Sequence, residues 1–385
     1  MIRTYFGGVL LLSFFVTQIT LAQSGNPLPD WALGGFTRPP GKNPIISPDS
    51  TRTFTDPMSQ SVIKWEINDT FNPAAVVKGG KILVIYRSED NTGVKIGTRT
   101  SRLGYAESKN GLHFKRKNEP VLFPADDDQK TFEWPGGCED PRIAMTEDGT
   151  YVMLYTQWNR KVPRLAAATS KDLVHWTKHG PIFQDAYNGQ FFNIATKSAS
   201  ILTQVKDNKQ VIARINGQYF MYWGERHVYA ATSTNLTDWR PLVDDKGELL
   251  ILASPRKGYF DSDMTECGPP ALLTDKGIVL LYNGRNHGTN GDKRFAGGTY
   301  SAGQMLFDKT EPTRLLARLD VPFFRPREAF EKRGQYASGT VFIEGLVWFK
   351  HKWHLYYGCA DSRVGVAIYD PKHPTDADPV EDVVQ

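Results

Sequence analysis

Three segments of the chain echo one another at an almost constant interval. "AESKNGLHF" begins at Ala106, "ATSKDLVHW" at Ala168 and "ATSTNLTDW" at Ala231, so Ser108, Ser170 and Ser233 are separated by 62 and 63 residues. So regular a period marks a repeat architecture. Each echo is preceded by two apolar runs around a turn: "AAVVKGGKILVIYR", "RIAMTEDGTYVMLYTQW" and "QVIARINGQYFMYWGE". Their Gly-Gly, Asp-Gly and Asn-Gly steps are hairpin signals between β-rich runs. Two further units, "PALLTDKGIVLLYNGR" and "GLVWFKHKWHLYYGCAD", keep the hairpin without the Ser-Leu-Trp tail. Five units of roughly 60 to 70 residues fill nearly all of the chain, and radially repeated four-stranded units make an all-β fold, a five-bladed β-propeller. A β-sandwich would give strands without the 62-residue echo. Helical signal is confined to "REAFEKRG" near residue 330.

The first 22 residues combine Arg3, an apolar run from Phe6 to Val16 and small residues ending at Ala22, the pattern of a cleaved signal peptide. The run is too short to span a bilayer, so an exported, periplasmic protein without membrane insertion is expected. Residues 23–60, rich in Pro, Gly and Ser, read as an extended N-terminal arm, and 61–385 as a single catalytic propeller. Cleavage after Ala22 removes one cation and leaves 45 basic against 42 acidic residues. That balance favours neither nucleic acid nor an acidic membrane. Cys138, Cys267 and Cys359 are too few and too scattered for a disulfide framework, and without CxxC or HExxH no zinc site is expected. No cofactor is implied, and the oligomeric state is not legible.

In a propeller the first strands converge on a central channel. Their starts read "FNPAAV" with Asn72, "CEDPRIAM" with Glu139 and Asp140, "TKSASIL" with Lys197, "ECGPPALL" with Glu266 and "EGLVWF" with Glu344, and the second strands end on Arg87, Glu225, Asn283 and Asp361. A mouth carrying carboxylates, an amide and nearby aromatics such as Trp134, Trp158, Trp223 and Tyr282 suits a sugar. Glycosidic cleavage needs one acid to protonate the leaving oxygen and one carboxylate to activate water or attack carbon. Asp140, Glu225 and Glu266 supply these roles. Taken singly, Asp140 before a proline is an ordinary turn residue, and Glu266 could satisfy backbone donors at a strand start. Glu225 is harder to dismiss: the alternation in "YFMYWGE" puts it on one face with Tyr219, Met221 and Trp223. A carboxylate there pairs with a cation or faces a wet pocket.

The segments "GGCEDPRIAMTEDGTYVMLYT", "RLAAATSKDLVHW", "GQYFMYWGE" and "ECGPPALLTDKGIVLLYNG", in this order and spacing, resemble glycoside hydrolase family 130 over residues 65 to 370. The resemblance implies a five-bladed propeller that cleaves β-mannosides with inversion. It implies Asp140 as proton donor, its proton passing through a sugar hydroxyl in phosphorylase members, and Asn72, Arg87 and Asp361 as holders of the mannose before the scissile bond. The family divides by nucleophile. Phosphorylases need a cationic cluster for phosphate, with a His-Arg pair, a Lys and a His where this chain has Trp223-Gly224, Ala271-Leu272-Leu273 and Asn283 beside Tyr282. Of those cations only Arg164 and Lys197 remain as ligand-binding candidates. Glu225 and Glu266 in such a pocket resemble the exported β-1,2-mannosidase branch, in which paired glutamates activate water. A mannoside hydrolase is therefore expected. A phosphorylase and a non-catalytic carbohydrate-binding propeller are the alternatives, and which glutamate is the base stays open.

Overall fold

The computed structural model describes Met1 and residues 28–374; most of the signal-peptide segment lies outside them. The described chain is almost entirely β. Its one α-helix, Lys130–Glu133, is a single turn. Near "REAFEKRG" only a 3₁₀ turn forms, Ala329–Glu331. Glu331 is drawn inward by Arg38 and the Tyr357 hydroxyl, both at 2.7 Å, which leaves no free face for a longer helix.

Five antiparallel groups follow one another. Their first three strands are Asp69–Lys78, Lys81–Glu89 and Ser101–Ser108; Gly137–Met145, Tyr151–Trp158 and Pro163–Ser170; Ala199–Lys206, Gln218–Trp223 and Tyr229–Ser233; Met264–Cys267 continued by Ala271–Thr274, then Gly277–Arg285 and Tyr300–Phe307; and Val341–Phe349, Lys352–Cys359 and Arg363–Tyr369. Parallel pairings at Ser101–Gly137 and Leu202–Ala271 join neighbouring groups into larger curled sheets.

The sequence echo has a local cause. At the end of three third strands, Ser108, Ser170 and Ser233 accept backbone N–H bonds from the residues two and three positions on, and Asn110, Asp172 and Asn235 cap the next two amides. Side-chain oxygens thus satisfy a tight turn that the sheet cannot. It places Leu173 and Leu236, at φ 70° and 72°, in the core.

Packing between groups is cyclic. One apolar cluster joins the first and second groups through Ile85, Leu103, Met153 and Tyr155; others join second to third, third to fourth and fourth to fifth. The last, with Val84, Tyr86, Phe349 and Tyr356, returns from fifth to first. The N-terminal arm closes the outside: Thr37 and Ile46 pair with Ile368 and Val364 on the last strand. The Asn43 amide mimics another strand residue by bonding Val366 in both directions at 2.9 Å.

Candidate active site

The first strands are not regular where the polar residues sit. Pairing slips between Phe71 and Pro73, between Glu139 and Arg142, and between Ile343 and Gly345. Each slip is a bulge that leaves extra residues unpaired and re-aims a side chain: Asn72 in the first group, Asp140 in the second and Glu344 in the fifth. Asn72 and Asp140 have φ of 46° and 47°, a left-handed conformation that Asn and Asp tolerate better than most residues. A Cβ at Gly358 would lie 2.4 Å from Asn72 Oδ1, so the glycine of "YYGCAD" makes room for the amide.

Arg87 organises this side. It is buried beneath the bulges, with Nη1 donating to Asp140 Oδ1 (3.0 Å), Nη2 to Glu89 and Glu139 (2.6 and 2.8 Å), and Nε to Ser101 (3.1 Å). Asn72 Nδ2 donates to the same Asp140 oxygen at 2.8 Å, and Lys197 Nζ reaches Glu139 at 3.0 Å. Burial pushes the Asp140 carboxyl upward, but Arg87, Lys197 and the Asn72 bond together outweigh it and hold Asp140 at about 2. Asp140 is therefore an anion at neutral pH.

The opposite side carries glutamates under the reverse influence. Glu266 sits across from Asn283 in the strand pairing; it is 5% exposed and accepts a hydrogen bond from the Ser198 hydroxyl. Burial, then the neighbouring Glu225, push it up to about 8, against the pull of Arg142. Glu225 follows Gly224, whose φ is 115° and whose Cβ would strike the His227 carbonyl at 2.2 Å. The turn breaks the strand's alternation and brings the half-buried carboxylate to the cavity. Burial raises Glu225 too, with Lys197 opposing and Asp140 reinforcing. Asp361, at φ 51°, is pushed up to about 7 by burial despite Arg87.

Arg142 ties the floor together. It donates to the Asp140, Cys267 and Gly268 carbonyls and to the Ser198 hydroxyl at 3.0 to 3.2 Å. Its guanidinium lies 3.1 Å from fully buried Glu344, although neither oxygen of Glu344 accepts a well-directed bond among the described residues. Burial pushes Glu344 well up.

Asn72, Arg87, Asp140, Lys197, Glu225, Glu266 and Asp361 thus line one cavity of about 240 Å³. Three expected ligand-binding residues do not. Tyr282 is fully buried with its hydroxyl 2.6 Å from Asp261 and 3.1 Å from Arg318 Nε. Asn283 turns its amide to the next group, exchanging two bonds with the Ile343 backbone at 2.8 and 3.1 Å. Arg164 is held between the Phe132 and Phe192 rings, 5.3 and 5.0 Å from their centroids, and bonds Asn193. Of the aromatics, Trp223 is a core residue packed on Phe183 and Tyr229. The cavity's aromatic wall comes instead from Phe71, Tyr300, Tyr336 and Phe342, with Met264 and Arg285. Arg285 was within reach of sequence reasoning, because a strand period of two puts it on the face of Asn283. Tyr336 lies in a connector that carries no pattern.

The cavity combines an anionic carboxylate held by cations, three carboxyls of raised affinity for protons (Glu225, Glu266 and Asp361), and aromatic surface, a set suited to proton transfer on a polyhydroxylated ligand. Comparison with known proteins agrees. Residues 42–373 match the model of glycoside hydrolase family 130, described as beta-1,4-mannooligosaccharide phosphorylase. The 1,2-beta-oligomannan phosphorylase of Thermoanaerobacter sp. is 30% identical over 320 residues, covering 82% of this chain and 94% of that protein. A solved structure from work on family members that "target beta-1,2 mannosidic linkages in Candida mannan" is 62% identical with a TM-score of 0.92, covering 93% of this chain and 99% of that one. A glycosyl hydrolase of Bacteroides ovatus matches with the same identity and TM-score, over 93% and 100% of the two chains. The chain belongs to glycoside hydrolase family 130.

Proposed function

We propose that this protein hydrolyses β-mannosidic linkages, β-1,2 foremost, from the non-reducing end with inversion, and that its five groups are the blades of a β-propeller around the cavity. The cyclic packing of the five apolar clusters supports the propeller. The observation that carries water as nucleophile is the placement of Glu225 and Glu266 together in the cavity. Glu225 in its ionised form repels a phosphate dianion, and the raised proton affinity that burial gives both glutamates suits them to accept a proton from water. Asp140 is the acid and the two glutamates share the base role. Asn72, Arg87 and Asp361 hold the sugar before the bond that breaks. Lys197 and Arg87 are cations, but both are tied to carboxylates, Lys197 to Glu139 and Arg87 to three acids. The 62%-identical structure, associated with glycoside hydrolases that act on β-1,2 mannosidic linkages, supports the same reading. Export follows from the N-terminal segment and fits a hydrolase that releases free sugar outside the cytoplasm.

The alternative, a phosphorylase, has the support of the relatives named as such and of Arg285 in the cavity wall. Arg285 is already paired, with Asp263 at 2.7 Å. Incubation with β-1,2-mannobiose, with and without phosphate, decides between them. Free mannose in both supports hydrolysis; phosphate-dependent mannose 1-phosphate overturns it.

A further inference from the structure

The first strands have two ends, and only one belongs to the site above. At the other end the hairpin turns enclose a second cavity of about 460 Å³, nearly twice the volume of the first. Asn72 and Lys78 lie in the two cavities on one strand, six residues apart, so the openings are about 20 Å apart at ~3.3 Å per residue. Arg142 and Glu344, an ion pair 3.1 Å apart on the second and fifth first strands, line neither cavity.

The lining of this second cavity points to an uncharged, amphipathic ligand. Its formal charges cancel, Lys78 and Lys209 against Glu147 and Asp148. Both acids are already paired, Glu147 with Lys206 at 2.8 Å and Asp148 with Lys171 at 3.0 Å. A cationic ligand would have to displace these partners, and the two acids stand against an anionic one. Aromatic surface comes from half-buried Trp348 and from Tyr151. The Asn208 amide oxygen accepts from the Trp348 indole nitrogen at 3.4 Å, and a second amide, Gln210, which donates to Thr203 at 3.1 Å, lines the same cavity. A flat aromatic face flanked by amides is the chemistry that binds a sugar ring, apolar C–H face against the indole and hydroxyls to the amides.

We infer that this cavity is a second, non-catalytic carbohydrate site that holds a distant part of the same mannan chain or a neighbouring chain. The identity of the sugar rests on the proposed function; the existence of the site does not. Two weak sites on one particle raise the local concentration of a polymer without altering turnover of a disaccharide.

The test uses the full mature chain carrying Asp140→Asn, to prevent turnover, titrated calorimetrically with β-1,2-mannotetraose. Two binding events are expected, and adding Trp348→Ala should remove one and leave the other. Gln210→Ala, a milder change, should weaken the same event should the tryptophan variant fold poorly. In the otherwise wild-type chain, Trp348→Ala should leave kcat/KM on mannobiose unchanged and lower it about fivefold on long β-1,2-mannan. A single event insensitive to both substitutions overturns the second site while leaving the mannoside reading intact. Absence of any binding overturns both.

Discussion

Glu266 gives the most direct measurement of the electrostatics of the site. Its carboxyl moves from an ordinary 4.5 to about 8 in the folded cavity, chiefly through burial and the charge of Glu225. A carboxyl raised on folding binds its proton more tightly in the native state, so its stabilising contribution is complete below 4.5 and is lost as pH rises towards 8. The loss is about 3 kcal/mol at pH 7 and about 5 kcal/mol above pH 8, at ~1.36 kcal/mol per pH unit. Glu266→Gln mimics the protonated form, because the amide oxygen still accepts from Ser198, and it does not titrate. The variant should therefore match the wild type near pH 4.5 and exceed it increasingly towards pH 8. For 385 residues the unfolding entropy is about 0.8 kcal/mol/K, which converts ~5 kcal/mol into ~6 °C in Tm. Scanning calorimetry of both proteins from pH 4.5 to 9 measures this gap. Glu225→Gln in the same scans should bring the plateau to lower pH, since it removes the charge that helps raise Glu266. A gap that does not change with pH, or a glutamine variant less stable at pH 8, would refute the reasoning.

Asp140→Asn should lower kcat/KM on β-1,2-mannobiose by about 10² to 10⁴, the range for a lost general acid, while titration shows the disaccharide still bound. Arg87→Met should destabilise the fold by about 3 to 5 kcal/mol, because it strands the buried carboxylates of Glu89, Glu139 and Asp140; denaturant titration reads the loss. Tyr282→Phe should cost about 1 kcal/mol through the lost bond to Asp261 and leave kcat and KM within about twofold, since that side chain does not reach the cavity. A KM raised tenfold would return Tyr282 to the sugar-binding set.

What the sequence disclosed about the site depended on whether a residue's role was written in its own neighbourhood. The serine turns were legible because donor and acceptor lie within three residues of each other, and that regularity carried the all-β reading. The placement of Asp140, Glu225 and Glu266 in one cavity was legible because a carboxylate beside an apolar run conflicts with its surroundings. Tyr282 and Asn283 were misplaced for a related reason. They too end an apolar strand, but their polar atoms are satisfied by Asp261, Arg318 and the Ile343 backbone, partners at least 21 residues away along the chain. Nothing local distinguishes a side chain that faces the cavity from one that bonds the adjacent group. The bulges at Asn72 and Asp140 add a second obstacle, since an unpaired residue shifts the alternation from which orientation is read.

The proton arrangement of the cavity residues sets a condition on the proposed reaction. Inverting hydrolysis begins with a protonated acid and an ionised base and ends with these states exchanged. Held at about 2 and about 8, Asp140 and Glu266 already stand in the exchanged state. Substrate must reverse it, and the forces acting on Asp140 show how. Burial is the largest of them and already pushes that carboxyl up; a sugar that expels water deepens it, and a hydroxyl that takes the Asn72 amide removes one of the bonds that lower it. Binding thus draws the proton from the glutamates towards Asp140, directly or through a sugar hydroxyl. The free enzyme must then carry that proton when substrate arrives, so kcat/KM should fall above pH 8 with Glu266 as the titrating group. Glu225→Gln should shift that alkaline limb to lower pH in whatever activity it retains. A kcat/KM that stays level from pH 7 to 10 would mean that Asp140 receives its proton from solvent, and that the raised carboxyl of Glu266 has no part in supplying it.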